Sequence, residues 1–209
     1  GEINIVATIS VIERDLEVPM RDGTILRADI WRPDADGKFP VLLERTPYNK
    51  ATSSESNLKA GEFYASHGYV TVIQDVRGRF SSDGEFYPFR DDGDGKNKDG
   101  YDTVEWSAEQ PWSNGKIGMI GGSYSGATQY RLLSTQPPHL TALFSRQSSA
   151  DYYDEWVYRG GAFEHGFNVM WTLKHTATNA RKLAAYGSED STDKQSNLAS
   201  DEYHNWLEH

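Results

Sequence analysis

Residues 9–18 are rich in Ile and Val, and Thr24–Trp31 alternates apolar with polar positions, as half-buried strands do. Arg21-Asp22-Gly23 is a turn signal between them, and Pro33–Gly37 supplies the next turn, so the two segments predict an antiparallel hairpin at a sheet edge. Pro40–Leu43 then reads as a short buried strand. Leu58–His67 has helical spacing and is closed by Gly68, and Tyr69–Ile73 is a second buried strand. Residues 76–100 form a long loop rich in Gly and Asp. After it, Asp102-Thr103-Val104-Glu105 fits a capping box for a helix reaching about Glu109 and stopped at Pro111. Lys116–Ile120 is a third buried strand, and a helix through about Thr135 ends at Pro137-Pro138. Leu140–Phe144 is a fourth strand. Strands alternating with helices predict an α/β chain with a mostly parallel sheet. Beyond residue 150 aromatics crowd residues 152–171, a polar stretch follows, and no strand signal is present. The pattern therefore predicts a core over 1–149 and the start of a helical cap over 150–209.

A chain of 209 residues can bury one sizeable core. Its formal net charge of −10 argues against gripping nucleic acid or docking on anionic membranes. No stretch approaches the roughly 20 apolar residues that cross a bilayer, and the first residues lack the regions of a signal peptide. Cys is absent, which excludes disulfides, thiolate catalysis and Cys-based zinc sites. It leaves the compartment, cytoplasmic or exported, open.

The chemistry concentrates at Gly121-Gly122-Ser123-Tyr124-Ser125-Gly126, between a predicted strand and a predicted helix. A serine hydroxyl becomes a useful nucleophile when it is exposed, deprotonated by a base and set beside oxyanion donors. A tight strand-to-helix turn lifts Oγ above the sheet and aims the following N–H groups at the developing charge. Small residues at 121, 122 and 126 permit that turn. Ser125 stands where the common Gly-x-Ser-x-Gly pattern has its last Gly, so the hexapeptide alone also allows a Gly-rich turn with an incidental Ser. A phosphate-binding turn is a further rival, but no Lys follows.

Six segments in chain order widen the picture. They are Val18–Thr24, Arg45-Thr46-Pro47-Tyr48, Gln74-Asp75-Val76-Arg77-Gly78-Arg79, Asp99-Gly100-Tyr101-Asp102 running on to Glu105-Trp106, Gln110–Lys116, and Gly121–Gly126. Together they resemble the cocaine-esterase-like acyl esterases and X-prolyl dipeptidyl-peptidases, a family that includes α-amino-acid ester hydrolases. The likeness covers about residues 15–170, and the family's elbow is Gly-x-Ser-Tyr-x-Gly. It implies an α/β-hydrolase fold: the N-terminal portion of a mostly parallel sheet with an antiparallel edge hairpin, then the start of a helical cap. It also implies Ser123 as nucleophile, with the Tyr124 backbone N–H and the Tyr48 phenol as oxyanion donors. Asp154, Glu155 and Trp156 fall where relatives line the acyl or amine pocket, although acidic residues opening a helix explain them nearly as well. The implied substrate is a small-molecule ester or short peptide, with no cofactor and no metal. The oligomeric state stays open, a homo-oligomer included.

Asp75 ends a predicted strand but precedes the serine, whereas α/β-hydrolases run Ser, then acid, then His. It is expected to pair with Arg77 and brace the loop. No histidine among 67, 139, 165, 175, 204 and 209 follows a predicted strand preceded by a suitable Asp, and His165 and His175 lie in the presumed cap. The chain is therefore expected to be part of a larger enzyme and weak or inactive alone. The acidic run Asp91–Asp99 resembles a calcium loop, but Lys96 occupies a ligand position and no Glu closes it. A solvated loop is the favoured reading. Two other classes stay open beside the hydrolase: a non-catalytic binding module and a calcium-stabilised structural domain.

Overall fold

The computed structural model describes residues 11–51, 55–93 and 95–186. The expected strand start at residues 9 and 10, Asp94 of the acidic run, His204 and His209 lie outside them. Six strands form one sheet: β1 (Val11–Pro19), β2 (Ile25–Arg32), β3 (Phe39–Thr46), β4 (Val70–Asp75), β5 (Ser113–Gly122) and β6 (Leu140–Arg146). Their spatial order is β1-β2-β4-β3-β5-β6. β4, β3, β5 and β6 run parallel, while β1 and β2 form the antiparallel edge hairpin. β1 bulges between Glu13 and Leu16, where Asp15 has a φ of 54°.

Three helices cross between these strands: α1 (Glu55–Ser66), α2 (Asp99–Glu109) and α3 (Tyr124–Leu133). Alternation decides the two faces of the sheet. Leu26, Ala28, Ile30, Val41, Leu43, Val70, Val72, Ile117 and Met119 bury one face with Val104 of α2 and Leu132 of α3. On the other, Trp31 and Ile73 pack with Ala65 of α1. Each of the Val, Leu, Ile and Met side chains contributes about 1.5–3 kcal/mol on burial. A Cβ on Gly61 would lie 2.5 Å from the Trp31 ring, so only glycine lets α1 come this close.

Parallel pairing places the C-terminal ends of β3, β4, β5 and β6 along one rim, with Thr46 opposite Asp75 and Gly122 opposite Arg146. Loops leaving such a rim carry chemistry in open α/β sheets.

Two expectations are corrected. Helix α2 begins at Asp99, and Asp102 caps nothing: its carboxylate takes the Arg21 guanidinium at 2.6 Å, while Glu105 accepts from the His139 ring at 2.7 Å. Beyond residue 150 a small hairpin does form, β7 (Tyr158–Arg159) with β8 (Ala162–Phe163). Its two-residue loop is Gly160-Gly161, both at positive φ, as a tight hairpin turn requires. Contacts divide the chain into Gly1–Trp156 and Val157–His209, and the second unit continues as α4 (His165–Tyr186).

Candidate active site

Ser123 sits between β5 and α3 with φ 55° and ψ −124°, a backbone region that non-glycine residues occupy at a cost of about 1–3 kcal/mol. Neighbouring bonds hold it there. Its N–H donates to Arg146 O of β6 at 3.0 Å, and its own carbonyl accepts from Gly126 and Ala127 at 3.0 Å each. A Cβ on Gly121 would fall 2.5 Å from Ser125 Cβ, and one on Gly126 would fall 2.7 Å from Ser145 Oγ and Ser148 Cβ. The small residues are therefore what the turn requires. Ser123 occupies the N-cap position yet makes no capping bond with its side chain. A serine there ordinarily turns its oxygen onto the helix N–H groups. Here the half-buried hydroxyl lies 3.3 Å from the Tyr48 phenol oxygen instead, and either group can donate.

Tyr124 opens α3, where backbone N–H groups carry the positive end of the helix dipole. Its side chain is buried and serves the loop that precedes α2. The phenol donates to Asp92 Oδ2 at 3.2 Å and accepts the Phe89 N–H at 2.9 Å. Burial, then the charge of Asp92, pushes that phenol well above its ordinary range, so it stays protonated. Asp92 is pushed upward by burial and held down by Arg45, whose Nη1 donates to it at 2.8 Å while its Nε donates to Gln74. The acidic run is thus not a solvated loop. Asp91, Asp92 and Asp99 are all buried, and Arg77 joins Asp99 at 2.7 Å and Asp22 at 2.8 Å. Buried carboxylates need such partners. Among the described residues no cluster of ligating side chains suits a metal ion.

Asp75 does not pair with Arg77. Its Oδ1 accepts the Lys50 backbone N–H at 2.8 Å, and its Oδ2 accepts the Ser81 N–H at 3.3 Å. Burial raises its pKa to about 6 despite those bonds.

Asp154, Glu155 and Trp156 lie in a short π-turn, Tyr153–Val157. The Asp154 N–H donates to Asp151 Oδ1, Glu155 accepts from Ser149 Oγ, and Trp156 meets Tyr152 edge-on at 4.9 Å. Tyr152 packs on Phe89 at 4.5 Å, and Phe89 stacks on Tyr124 at 4.2 Å. Aromatic rings therefore run from Trp156 back to the elbow, while Asp154 and Glu155 are exposed. Among the described residues Ser123 has no histidine partner. Sequence reasoning assigns no role to Arg45, Asp92 or Arg79, and it gives Asp75 the wrong partner. The signal for them was the run of arginines at 21, 45, 77 and 79 matched by aspartates at 22, 75, 92, 99 and 102.

A family model described as X-Pro dipeptidyl-peptidase (S15 family) matches residues 22–208. The chain belongs to this family. It is 42% identical over 168 residues to the cocaine esterase of Rhodococcus sp. (strain MB1 Bresler), covering 77% of this chain and 28% of that protein. Among solved structures, a CocE/NonD family hydrolase from Staphylococcus aureus superposes with a TM-score of 0.73 at 33% identity, over 82% of this chain and 33% of that one. An α-amino acid ester hydrolase superposes with a TM-score of 0.62 at 28% identity, over 78% and 29%. The S15-family chain thus has the α/β-hydrolase fold and spans a third or less of each of these relatives.

Proposed function

We propose that this S15-family chain carries the nucleophile and oxyanion hole of a serine hydrolase acting on an ester or amide. The observation that carries the reading is the Tyr48 phenol at 3.3 Å from Ser123 Oγ, above a strained elbow. Ser123 Oγ attacks the carbonyl carbon, and its proton passes to a base supplied from outside the described residues. The tetrahedral oxyanion accepts from the Tyr48 O–H and the Tyr124 N–H. It collapses to an acyl-enzyme as the alcohol or amine leaves, and water releases the acid. An ester is favoured over an X-prolyl peptide because the 42%-identical relative is an esterase. The aromatic run from Tyr124 to Trp156 supports a substrate with an apolar acyl group. Incubation with a fluorophosphonate probe tests the reading. A covalent adduct on Ser123, absent from Ser123→Ala, is expected. No adduct on the protein at its full gene length overturns it and favours a binding module.

A further inference from the structure

We propose that Asp75 and Arg79 are positioning residues that hold the Tyr48 phenol over Ser123 by clamping the loop that carries it. The inference rests on the reading of Tyr48 as an oxyanion donor.

The loop leaves β3 at Thr46 and turns at Asn49, whose φ of 79° is left-handed. Such a turn persists when its surroundings over-determine it. Four hydrogen bonds do so here. The Val76 N–H donates to Thr46 O at 3.0 Å, and the Tyr48 N–H donates to Thr46 Oγ1 at 3.1 Å. Arg79 Nε donates to Pro47 O at 2.9 Å, and the Lys50 N–H donates to Asp75 Oδ1 at 2.8 Å. Three of the four join the loop to the end of β4, at Asp75, or to the residues just after it, Val76 and Arg79. Tyr48 is thereby gripped on both sides by a neighbouring strand end, not by its own loop alone.

The chemistry of the clamp explains why a carboxylate stands at 75. Asp75 is fully buried, and burying a charge is costly unless the charge is used. Two N–H donors arrive from two different loops, Lys50 after β3 and Ser81 after β4, and each takes one oxygen. An asparagine offers one acceptor and turns an NH₂ toward the other donor. Arg79 is equally buried, with its guanidinium over the Phe80 and Phe86 rings at 4.8 and 4.9 Å, which fixes the direction of its Nε–H. Both oxygens of Asp75 are engaged with backbone, so its effect on the reaction passes through the loop.

A double-mutant cycle on the hydrolysis of p-nitrophenyl butyrate by the protein at its full gene length tests this. Asp75→Asn is expected to lower kcat about tenfold with KM changed less than about twofold, because the donor matters most in the transition state. In the Tyr48→Phe background the same substitution is expected to cost less than about twofold, since the group it positions is gone. An equal loss in both backgrounds, or a loss confined to KM, overturns the proposal. Should Asp75→Asn not fold, as judged by circular dichroism, the cycle is run with Arg79→Lys, which keeps the charge but loses the Nε–H aimed at Pro47. Fluorophosphonate labelling of Ser123 separates the two failures. With an adduct and equal losses, the clamp alone is wrong; with no adduct, the serine hydrolase reading falls and the clamp with it.

Discussion

The Tyr48 phenol oxygen lies 3.3 Å from Ser123 Oγ although 75 positions separate the two residues in the chain. The contact joins the ends of two strands that pair directly, β3 and β5. Tyr48→Phe keeps the ring and removes the donor. It is expected to lower kcat for an ester by about 10²–10³ with KM little changed, as loss of one oxyanion donor does. Steady-state kinetics on the protein at its full gene length checks this.

Ser123→Gly removes the backbone penalty at φ 55° as well as the hydroxyl. The variant is expected to be more stable than the wild type by about 1 kcal/mol, part of the released strain being offset by the greater freedom of unfolded glycine. It is also expected to lose fluorophosphonate labelling completely. Urea unfolding midpoints provide the measurement, and a lower midpoint for the variant would contradict it.

Asp92 bonds both the Arg45 guanidinium and the Tyr124 phenol in a buried setting. Asp92→Asn removes the nearer of two buried carboxylates from Arg45, leaving Asp99 at 4.0 Å, and is expected to cost about 3 kcal/mol. Tyr124→Phe deletes a neutral donor and is expected to cost about 1–3 kcal/mol, because the Phe89 N–H loses its acceptor. Thermal and urea denaturation of the two variants should rank them in that order.

Asp75 gives stability an uncommon pH dependence. Burial raises its pKa from the ordinary 3.8 to about 6, with Lys50 and the Ser81 N–H lowering it and Asp29 raising it. The native state therefore holds this proton more tightly than the unfolded chain. The group's contribution is fully present below pH 3.8 and is lost as pH rises through 6, a change of about 3 kcal/mol. Asp22 has the opposite sign: its bond from Arg77 lowers it to about 2, so its contribution is present above 3.8 and fades as pH falls through 2. Unfolding free energies between pH 4 and pH 8 are expected to fall less steeply in Asp75→Asn than in wild type. Parallel curves would refute the assignment.

The strand and helix sequence was legible because Val, Ile and Leu runs alternate with helical spacing, and the elbow was legible because its small residues have no other use. What escaped reading depended on partners distant in sequence. Asp102 looked like a cap because its capping motif is local, whereas Arg21 lies 81 positions away. Asp91 to Asp99 looked solvated because charge runs usually are, whereas Arg45 and Arg77 neutralise them from other elements. Asp75 was expected to choose a guanidinium two residues on, and the fold gives it two backbone amides instead. The Gly160-Gly161 turn is a different case: its signal is local, but the two strands it joins are only two residues each and carry no alternation to read.

The register of β3 against β5, with Val41, Leu42 and Leu43 opposite Ile117, Gly118 and Met119, acts as a spacer for the chemistry above it. Paired strands stand about 4.8 Å apart whatever their side chains are. Tyr48 stands five positions beyond Leu43 and Ser123 four beyond Met119, so the ladder sets how far apart the two strand ends stand and the Tyr48 loop is positioned from there. Loops other than the one that carries Tyr48 can then diverge in length and composition without moving the two strand ends. A slip of a single residue in the ladder, by contrast, would carry one partner away by about 3.3 Å and turn every side chain of the strand to the opposite face.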